Sequence, residues 1–310
     1  MTQLAGKRVF VAGHRGMVGS ALVRRLASER CMIVTAPRAE LDLCDPAAVQ
    51  AWMARERPEL VFIAAAKVGG ILANENSPAD FLYENLMIAT NVIHAAHLTG
   101  VEKLLSLGSS CIYPKFATQP ITEDQLLTGA LEPTNQWYAI AKIAAVKLCD
   151  AYRLQYGHNF ISAMPTNLYG SGDSYDPCNS HVMPALIRKA HCLKLGAADV
   201  LPIWGTGEPR REFLHADDCA DACVFLMRHY SEIGHVNIGS GEDLRIIDLA
   251  RLVCDVAGVE PRIELDKTKP DGTPRKLLDV SLLKSMGWNQ TIGLRQGVQR
   301  TYDEYVAGLS

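Results

Sequence analysis

The sequence predicts an α/β fold built on a doubly wound parallel sheet. Three observations carry that expectation: strand and helix patterns alternate through the first half of the chain, the third strand run, Leu60–Ala64, is apolar throughout, and a glycine-rich turn separates the first strand from the first helix. Strands covered by helices on both faces read as continuous apolar runs rather than alternating ones.

Arg8–Ala12 reads as the first buried strand, and Val18, Leu22, Val23 and Leu26 then recur at helical spacing. Met32–Thr35 is a second strand. Pro46–Arg57 is a helix, with Asp45 as its N-cap and Pro46 at its first position. Leu60–Ala64, Lys103–Leu107 and Phe160–Ala163 are further strands, separated by long helices over Ala79–Leu98 and Asn135–Tyr156. The second half is less regular. Residues 170–180, rich in Gly, Ser, Asp, Asn and Pro, read as a loop. His181–Leu193 and Asp217–His229 are helical, and His235–Ile238 is a strand that could rejoin the sheet. Short helices and one strand around Arg262–Leu265 follow from Ile246 onward. The expected division is a larger lobe of residues 1–168 plus about 211–239, and a smaller one of about 169–210 and 240–310.

With 310 residues, 48% of them hydrophobic, the chain can bury a sizeable core. The formal net charge of −3 and the dispersal of basic residues argue against a nucleic-acid binder. The N-terminus is polar and runs straight into a strand, with no signal-like apolar stretch, and no run approaches the roughly 18 apolar residues a membrane helix needs. Nine cysteines without a Cys-x-x-Cys pair fit a reduced compartment, so a cytoplasmic location is expected. Cys219 and Cys223, near Asp217, Asp218 and Asp221, read as core residues of a helix, and no metal is expected.

Gly13-His14-Arg15-Gly16-Met17-Val18-Gly19 lies between the first strand and the first helix. Glycines there let the backbone approach a pyrophosphate, and the helix N-terminus offers free N–H groups with a partial positive charge. That placement makes the fold Rossmann-type and the turn a dinucleotide site. Arg38 stands where the second strand ends, and Arg15 lies inside the turn. An arginine fork suits the 2′-phosphate of NADP, whereas an acid there would suit NAD, which Glu40 and Asp42 keep open.

Tyr138 and Lys142 form Tyr-x-x-x-Lys on a predicted helix, and a spacing of four puts both on one face. A lysine cation favours tyrosinate, which makes Tyr138 a better proton relay. Gly108-Ser109-Ser110-Cys111 follows a strand, at the carboxyl end where ligands gather in this architecture. Ser109 can hydrogen-bond the same substrate oxygen as Tyr138 and help hold negative charge on it. Cys111 reads either as a small buried apolar residue or as a thiol base activated by a neighbouring cation.

With those residues in place, the chain resembles the extended short-chain dehydrogenase/reductases and, within them, the GDP-L-fucose synthase family. The matching phrases are Gly13–Ser20, Ala64–Ile71, Gly108–Lys115, Tyr138–Lys142, Pro165–Gly170, Asn179–Val182 and Lys269–Lys276, which run over nearly the whole chain. The resemblance implies an NADP-dependent enzyme acting on a GDP-sugar, with a cofactor lobe, a smaller substrate lobe and a homodimer packed through the two long helices. It implies that GDP-4-keto-6-deoxymannose is inverted at C3 and C5 and then reduced at C4. Cys111 matches the family's base and His181 its acid; Ser109, Tyr138 and Lys142 serve both stages.

The resemblance extends the cofactor contacts to Leu107, Gly108, Ser109, Ser110, Lys142, Pro165, Thr166, Asn167, Leu168 and His181. For the nucleotide sugar it implies Lys189, Trp204, Arg211 and Asp271. Lys189 stands where an arginine is expected, which keeps the charge and loses the two-pronged geometry. Glu212 replaces the usual aspartate after Arg211, and Trp204 could instead be a lobe-packing aromatic. Cys178 is a weaker competitor for any thiol role. Another nucleotide-sugar 4-reductase, a 4-epimerase, a 4,6-dehydratase and a non-catalytic NADP sensor are the rivals. Ser110-Cys111 in place of an Asp-Glu pair counts against a dehydratase, Arg38 against an NAD-recycling epimerase, and the intact Tyr138 and Lys142 against a sensor.

Overall fold

A computed structural model describes residues 1–177, 180–269 and 271–309; Cys178, Asn179, Pro270 and Ser310 lie outside the described residues. The first half builds β1 (Arg8–Ala12), α1 (Met17–Leu26), β2 (Met32–Val34), α2 (Pro46–Glu56), β3 (Leu60–Ile63), α3 (Ile71–Asn76), α4 (Pro78–Thr99), β4 (Lys103–Leu107), α5 (Gln136–Tyr156) and β5 (Asn159–Pro165). The second half builds β6 (Asn167–Tyr169), α6 (Val182–Lys194), β7 (Leu201–Trp204), β8 (Arg210–His215), α7 (Ala216–His229) and β9 (His235–Ile238). The chain ends with β10 (Asp243–Arg245), α8 (Ile246–Ala257), β11 (Ile263–Asp266), β12 (Arg275–Lys276), α9 (Ser281–Ser285) and α10 (Leu294–Ala307).

The six-stranded sheet is parallel throughout, in the order β2-β1-β3-β4-β5-β9. Its order reverses between β1 and β3, and a ligand crevice opens beyond the carboxyl ends of strands at such a point. Leu22, Leu26, Cys219, Cys223 and Met227 cover one face through α1 and α7. Trp52, Met53, Val92, Ala96 and Cys149 cover the other through α2, α4 and α5. Both faces are therefore dry, which is why β3 is apolar at every position. Cys219 and Cys223 are packed in that core.

Local signals set the helix ends. The Asp45 carboxylate accepts from the N–H groups of Ala47 and Ala48 at 2.9 and 3.1 Å, ahead of Pro46. Gly100 and Gly157 close α4 and α5 in the left-handed region, at φ 74° and 72°. His181 is the residue before α6 rather than its first, and Asn135 stands in the same relation to α5.

A second sheet joins β10, β8 and β12, with β6 paired to β8, and β7 pairs with β11. The sequence expectation contained none of β6, β7, β8, β10 and β12, nor α3. These pieces are short, and β8, β10 and β12 begin with charged residues, so no long apolar run marks them. A separate apolar cluster of Leu186, Ile187, Leu249, Val253 and Tyr302 packs α6, α8 and α10 together. Among the described residues, no helix is long and apolar enough to cross a membrane.

Candidate active site

The glycine turn is built so that side chains cannot intrude. A Cβ on Gly13, whose φ is +84°, would lie 2.6 Å from the Ala65 backbone at the end of β3. A Cβ on Gly19 would lie 2.0 Å from the Gly13 carbonyl oxygen. Gly16 caps α1 in an extended conformation and donates its N–H to the Gly13 carbonyl at 3.0 Å. The N–H groups of the first helical turn after it have no partner within the helix, and that turn contains no acidic residue. His14, Met17 and Val18 are half-buried beside the turn, and Arg15 is exposed.

Arg38 is 75% exposed, with its guanidinium 3.8 Å from Glu84 and 4.0 Å from Asp42. Pairs this long and exposed hold little energy, at most roughly 1 kcal/mol. Arg38 is therefore available to an anion at the mouth of the turn. The close-approach cradle, the open helix N-terminus and the two exposed arginines fit a dinucleotide carrying an additional phosphate.

At the end of β4, Gly108 donates its N–H to the Ala163 carbonyl at 2.8 Å. A Cβ on Gly108 would meet the end of the Met164 side chain at 2.2 Å, so a larger residue there would require Met164 to move. Ser109 then caps a short 3-10 turn, its hydroxyl accepting from the Cys111 N–H at 3.4 Å. Tyr113 ties the turn to β9, donating its hydroxyl to Asn237 Oδ1 at 2.6 Å and meeting His235 Nε2 at 2.8 Å. Because the one hydroxyl proton goes to Asn237, His235 must supply the hydrogen of the second bond from Nε2. Burial pulls the His235 imidazole down to about 4, so it stays neutral.

Cys111 is 6% exposed and lines a cavity with Ser110, Glu132 and Lys276. Sequence reasoning anticipated a thiol lowered by a cation. The structure corrects that: burial pushes the thiol up, and Lys276, the Ser109 hydrogen bond and Lys142 offset it only in part. Tyr138 and Lys142 share one face of α5, and the Lys142 Nζ lies 5.6 Å from the centre of the Tyr138 ring. Lys142 donates to the Leu107 carbonyl at 2.9 Å, and burial pulls its ammonium down to about 8. Burial, with a smaller contribution from Cys111, pushes the Tyr138 phenol up. Burial therefore works against the tyrosinate that the sequence pattern was expected to favour.

Pro165 ends β5, and Thr166 to Leu168 carry the chain across to the second sheet. The Thr166 hydroxyl and the Asn167 amide both donate to the Glu212 carbonyl, at 3.3 and 2.8 Å. The Glu212 carboxylate is fully buried; it accepts from the N–H groups of Gly241 and Leu278 at 2.7 and 3.0 Å. Glu212 is therefore a brace for the loops behind Arg211, and its extra methylene over aspartate reaches them. Burial lowers the Arg211 guanidinium, while Glu132 and Asp271 pull it back up.

The remaining sugar-nucleotide candidates are less directly poised. Lys189 donates to the Pro202 carbonyl at 2.8 Å, a backbone tie rather than a free cation. Asp271 accepts from the Thr206 N–H and hydroxyl, at 2.7 and 3.1 Å to Oδ1, and so braces the turn after β7. Trp204 is 43% exposed with the Lys269 Nζ 5.5 Å from its ring centre, so it does not pack the lobes together. His181 is 47% exposed, its Nδ1 3.9 Å from Asp173 Oδ1.

Sequence reasoning missed Lys276 and Glu132. Lys276 enters because β12 pairs parallel with β8 and puts Lys276 opposite Arg211, a register no local spacing reveals. Glu132 pairs with Lys115 at 3.0 Å and accepts from the Thr273 hydroxyl at 3.4 Å, closing the cavity floor. Among the described residues, no group of three or more His, Cys, Asp or Glu could hold a metal ion.

Residues 9–239 match the NAD dependent epimerase/dehydratase family. The chain is 57% identical to a GDP-L-fucose synthase of Sinorhizobium fredii, over 100% of this chain and 99% of that one. It is 50% identical to the GDP-L-fucose synthase of Escherichia coli K12, over 98% of each. Among solved structures, a GDP-mannoheptose C4 reductase from Campylobacter jejuni with NADP bound superposes with a TM-score of 0.89 at 36% identity, covering 99% of both chains. By its glycine cradle, its Ser109–Tyr138–Lys142 set and these full-length likenesses, the chain belongs to the NAD dependent epimerase/dehydratase family, in the branch of the GDP-L-fucose synthases.

Proposed function

We propose that this chain converts GDP-4-keto-6-deoxy-D-mannose to GDP-L-fucose, by epimerisation at C3 and C5 followed by NADPH-dependent reduction at C4. One observation carries the reading: the Cys111 thiol lies in a buried cavity with Lys276, within electrostatic reach of Tyr138 and Lys142. A plain ketone reductase has no use for a thiol there, whereas an epimerase needs a base beside the carbonyl.

Gly13 to Gly19, Arg15 and Arg38 would hold the cofactor's phosphates. Leu107 to Ser110, Lys142, Pro165 to Leu168 and His181 would flank its other half. NADPH, when bound, supplies the hydride that reduces C4.

The substrate's 4-keto group acidifies the hydrogens at C3 and C5. Cys111, as thiolate, takes a proton from one face, and the negative charge passes to the C4 oxygen. Ser109 and Tyr138 donate hydrogen bonds to that oxygen. His181, as imidazolium, returns a proton to the opposite face, which inverts the carbon. Cys111 is then a thiol and His181 neutral, and exchange with solvent resets both before the second inversion. In the last stage Tyr138 protonates the C4 oxygen as it becomes an alcohol, and the Lys142 cation beside it eases loss of that proton. Arg211 and Lys276 would meet the diphosphate side of the substrate, with Trp204, Lys189 and Asp271 toward the nucleoside.

We assign residues 1–168 with about 211–239 to the cofactor lobe, and about 169–210 and 240–310 to the substrate lobe. The reading is supported by β9 joining the large sheet and α7 covering it. We also propose a cytoplasmic homodimer joined through α4 and α5. The exposed Tyr83, Leu98, Trp137 and Ile140 on that helix pair support it.

The test is Cys111→Ser, assayed on the keto sugar and on the same sugar already inverted at C3 and C5. Exchange of the C3 and C5 hydrogens should fall by at least about 100-fold, the usual scale of a lost acid–base group, while reduction of the inverted sugar stays measurable. Equal loss of both activities would defeat the division of labour.

A further inference from the structure

We infer that Asp173 is the positioning residue for His181, holding the imidazole so that its Nε2 carries the proton delivered to the sugar. The inference rests on the assignment of His181 as the acid of the epimerisation.

Three observations point to it. The Asp173 side chain is 7% exposed, and its Oδ1 lies 3.9 Å from His181 Nδ1, an ion-pair separation. Its second oxygen, Oδ2, is buried and has no hydrogen-bond partner among the described residues. A buried carboxylate is costly unless a positive or donating group faces it, and the His181 ring faces this one on the Oδ1 side. The backbone around it is fixed. The Asp173 N–H donates to the Gly170 carbonyl at 3.2 Å, and Ser174 N–H donates to Oδ1 at 2.8 Å. Gly172, at φ +82°, sits against Met17 and Ser20 in the first turn of α1, since a Cβ there would touch both at 3.5 Å. The carboxylate thus sits on a loop backed by the cofactor turn, while the imidazole it faces is half-exposed.

The chemistry explains the pairing. A histidine that must give up a proton at Nε2 twice per turnover needs its other nitrogen protonated and held, and a carboxylate at Nδ1 does both. Half-exposure of the ring lets water restore the Nε2 proton between the two inversions.

The test compares Asp173→Asn, Asp173→Glu and His181→Gln in the full chain with NADP bound. Deuterium uptake at C3 and C5 of the keto sugar in deuterated water is measured without NADPH, and reduction of the pre-inverted sugar is measured with it. Asp173→Asn should slow exchange by at least about tenfold more than it slows reduction, the scale of a lost histidine orienter, and Asp173→Glu should recover part of the difference. Equal slowing of both reactions, or exchange at the wild-type rate, overturns the role of Asp173. Wild-type exchange in His181→Gln would instead sink the assignment of His181, a distinguishable failure. A second measurement needs no folded Asp173 variant. In protein with 15N-labelled histidine, identified by its loss in His181→Gln, the neutral ring should carry its proton on Nδ1. A proton on Nε2 in the neutral ring would overturn the inference.

Discussion

Arg38 is the residue on which the choice between nicotinamide cofactors turns. Among the described residues its guanidinium is held only by long contacts to Asp42 and Glu84, so little must be broken to engage a phosphate. Arg38→Ala should raise the KM for NADPH by about 10- to 100-fold, the worth of a charge-assisted contact, and leave the KM for NADH nearly unchanged. Parallel changes would show that Arg38 does not read the 2′-phosphate. Arg38, Tyr138 and Lys142 were legible in the sequence because a short spacing or a strand end fixes each of them. Asp173 and Lys276 were not. One reaches the site through a loop of glycines, the other through the register of a two-residue strand, and both are decided by tertiary geometry. The Cys111 thiol shows the same limit from the other side. Its position could be read from the sequence, but the direction of its titration depends on burial.

Among the elements, β1, the glycine turn and α1 form the unit most sensitive to a single atom. In Gly19→Ala the new methyl would lie 2.0 Å from the Gly13 oxygen and 2.9 Å from the His14 Cα, all backbone, so the turn must open. Overpacking of this kind costs roughly 1–3 kcal/mol. A Tm drop together with at least about tenfold weaker NADPH binding is the expected result. Unchanged binding would separate the turn from the cofactor. The parallel strands and long helices of the first half were readable because apolar runs and caps such as Asp45 act locally. The second sheet was not, because β8 with Glu212 takes its stability from loops far along the chain. Glu212→Gln should therefore destabilise the fold by about 1–3 kcal/mol in urea titration, as one carboxylate oxygen facing backbone N–H groups becomes a donor. A loss of activity with no change in the urea midpoint would argue instead for direct substrate contact.

Across the whole molecule, pH should act on stability through His235. Its folded value is about 4 against 6.5 for an ordinary histidine, so between the two the unfolded chain binds the additional proton. Its contribution is intact above the unfolded value and is lost as pH falls toward the folded one, up to roughly 3 kcal/mol at 1.4 per pH unit. His235→Gln should flatten the fall in urea midpoint between about pH 7.5 and pH 5. An identical slope would place the acid sensitivity elsewhere. The proposed homodimer predicts a dimer mass in sedimentation at micromolar concentration, and a monomer there would contradict pairing through α4 and α5.

The central claim is that one pocket performs both inversion and reduction. NADPH oxidation with GDP-4-keto-6-deoxymannose in deuterated water, followed by NMR of the product sugar, tests it most directly. The account predicts GDP-fucose carrying deuterium at C3 and C5. NADPH consumption that yields an uninverted sugar without deuterium would contradict it and leave a simple 4-reductase, with Cys111 and His181 as structural residues.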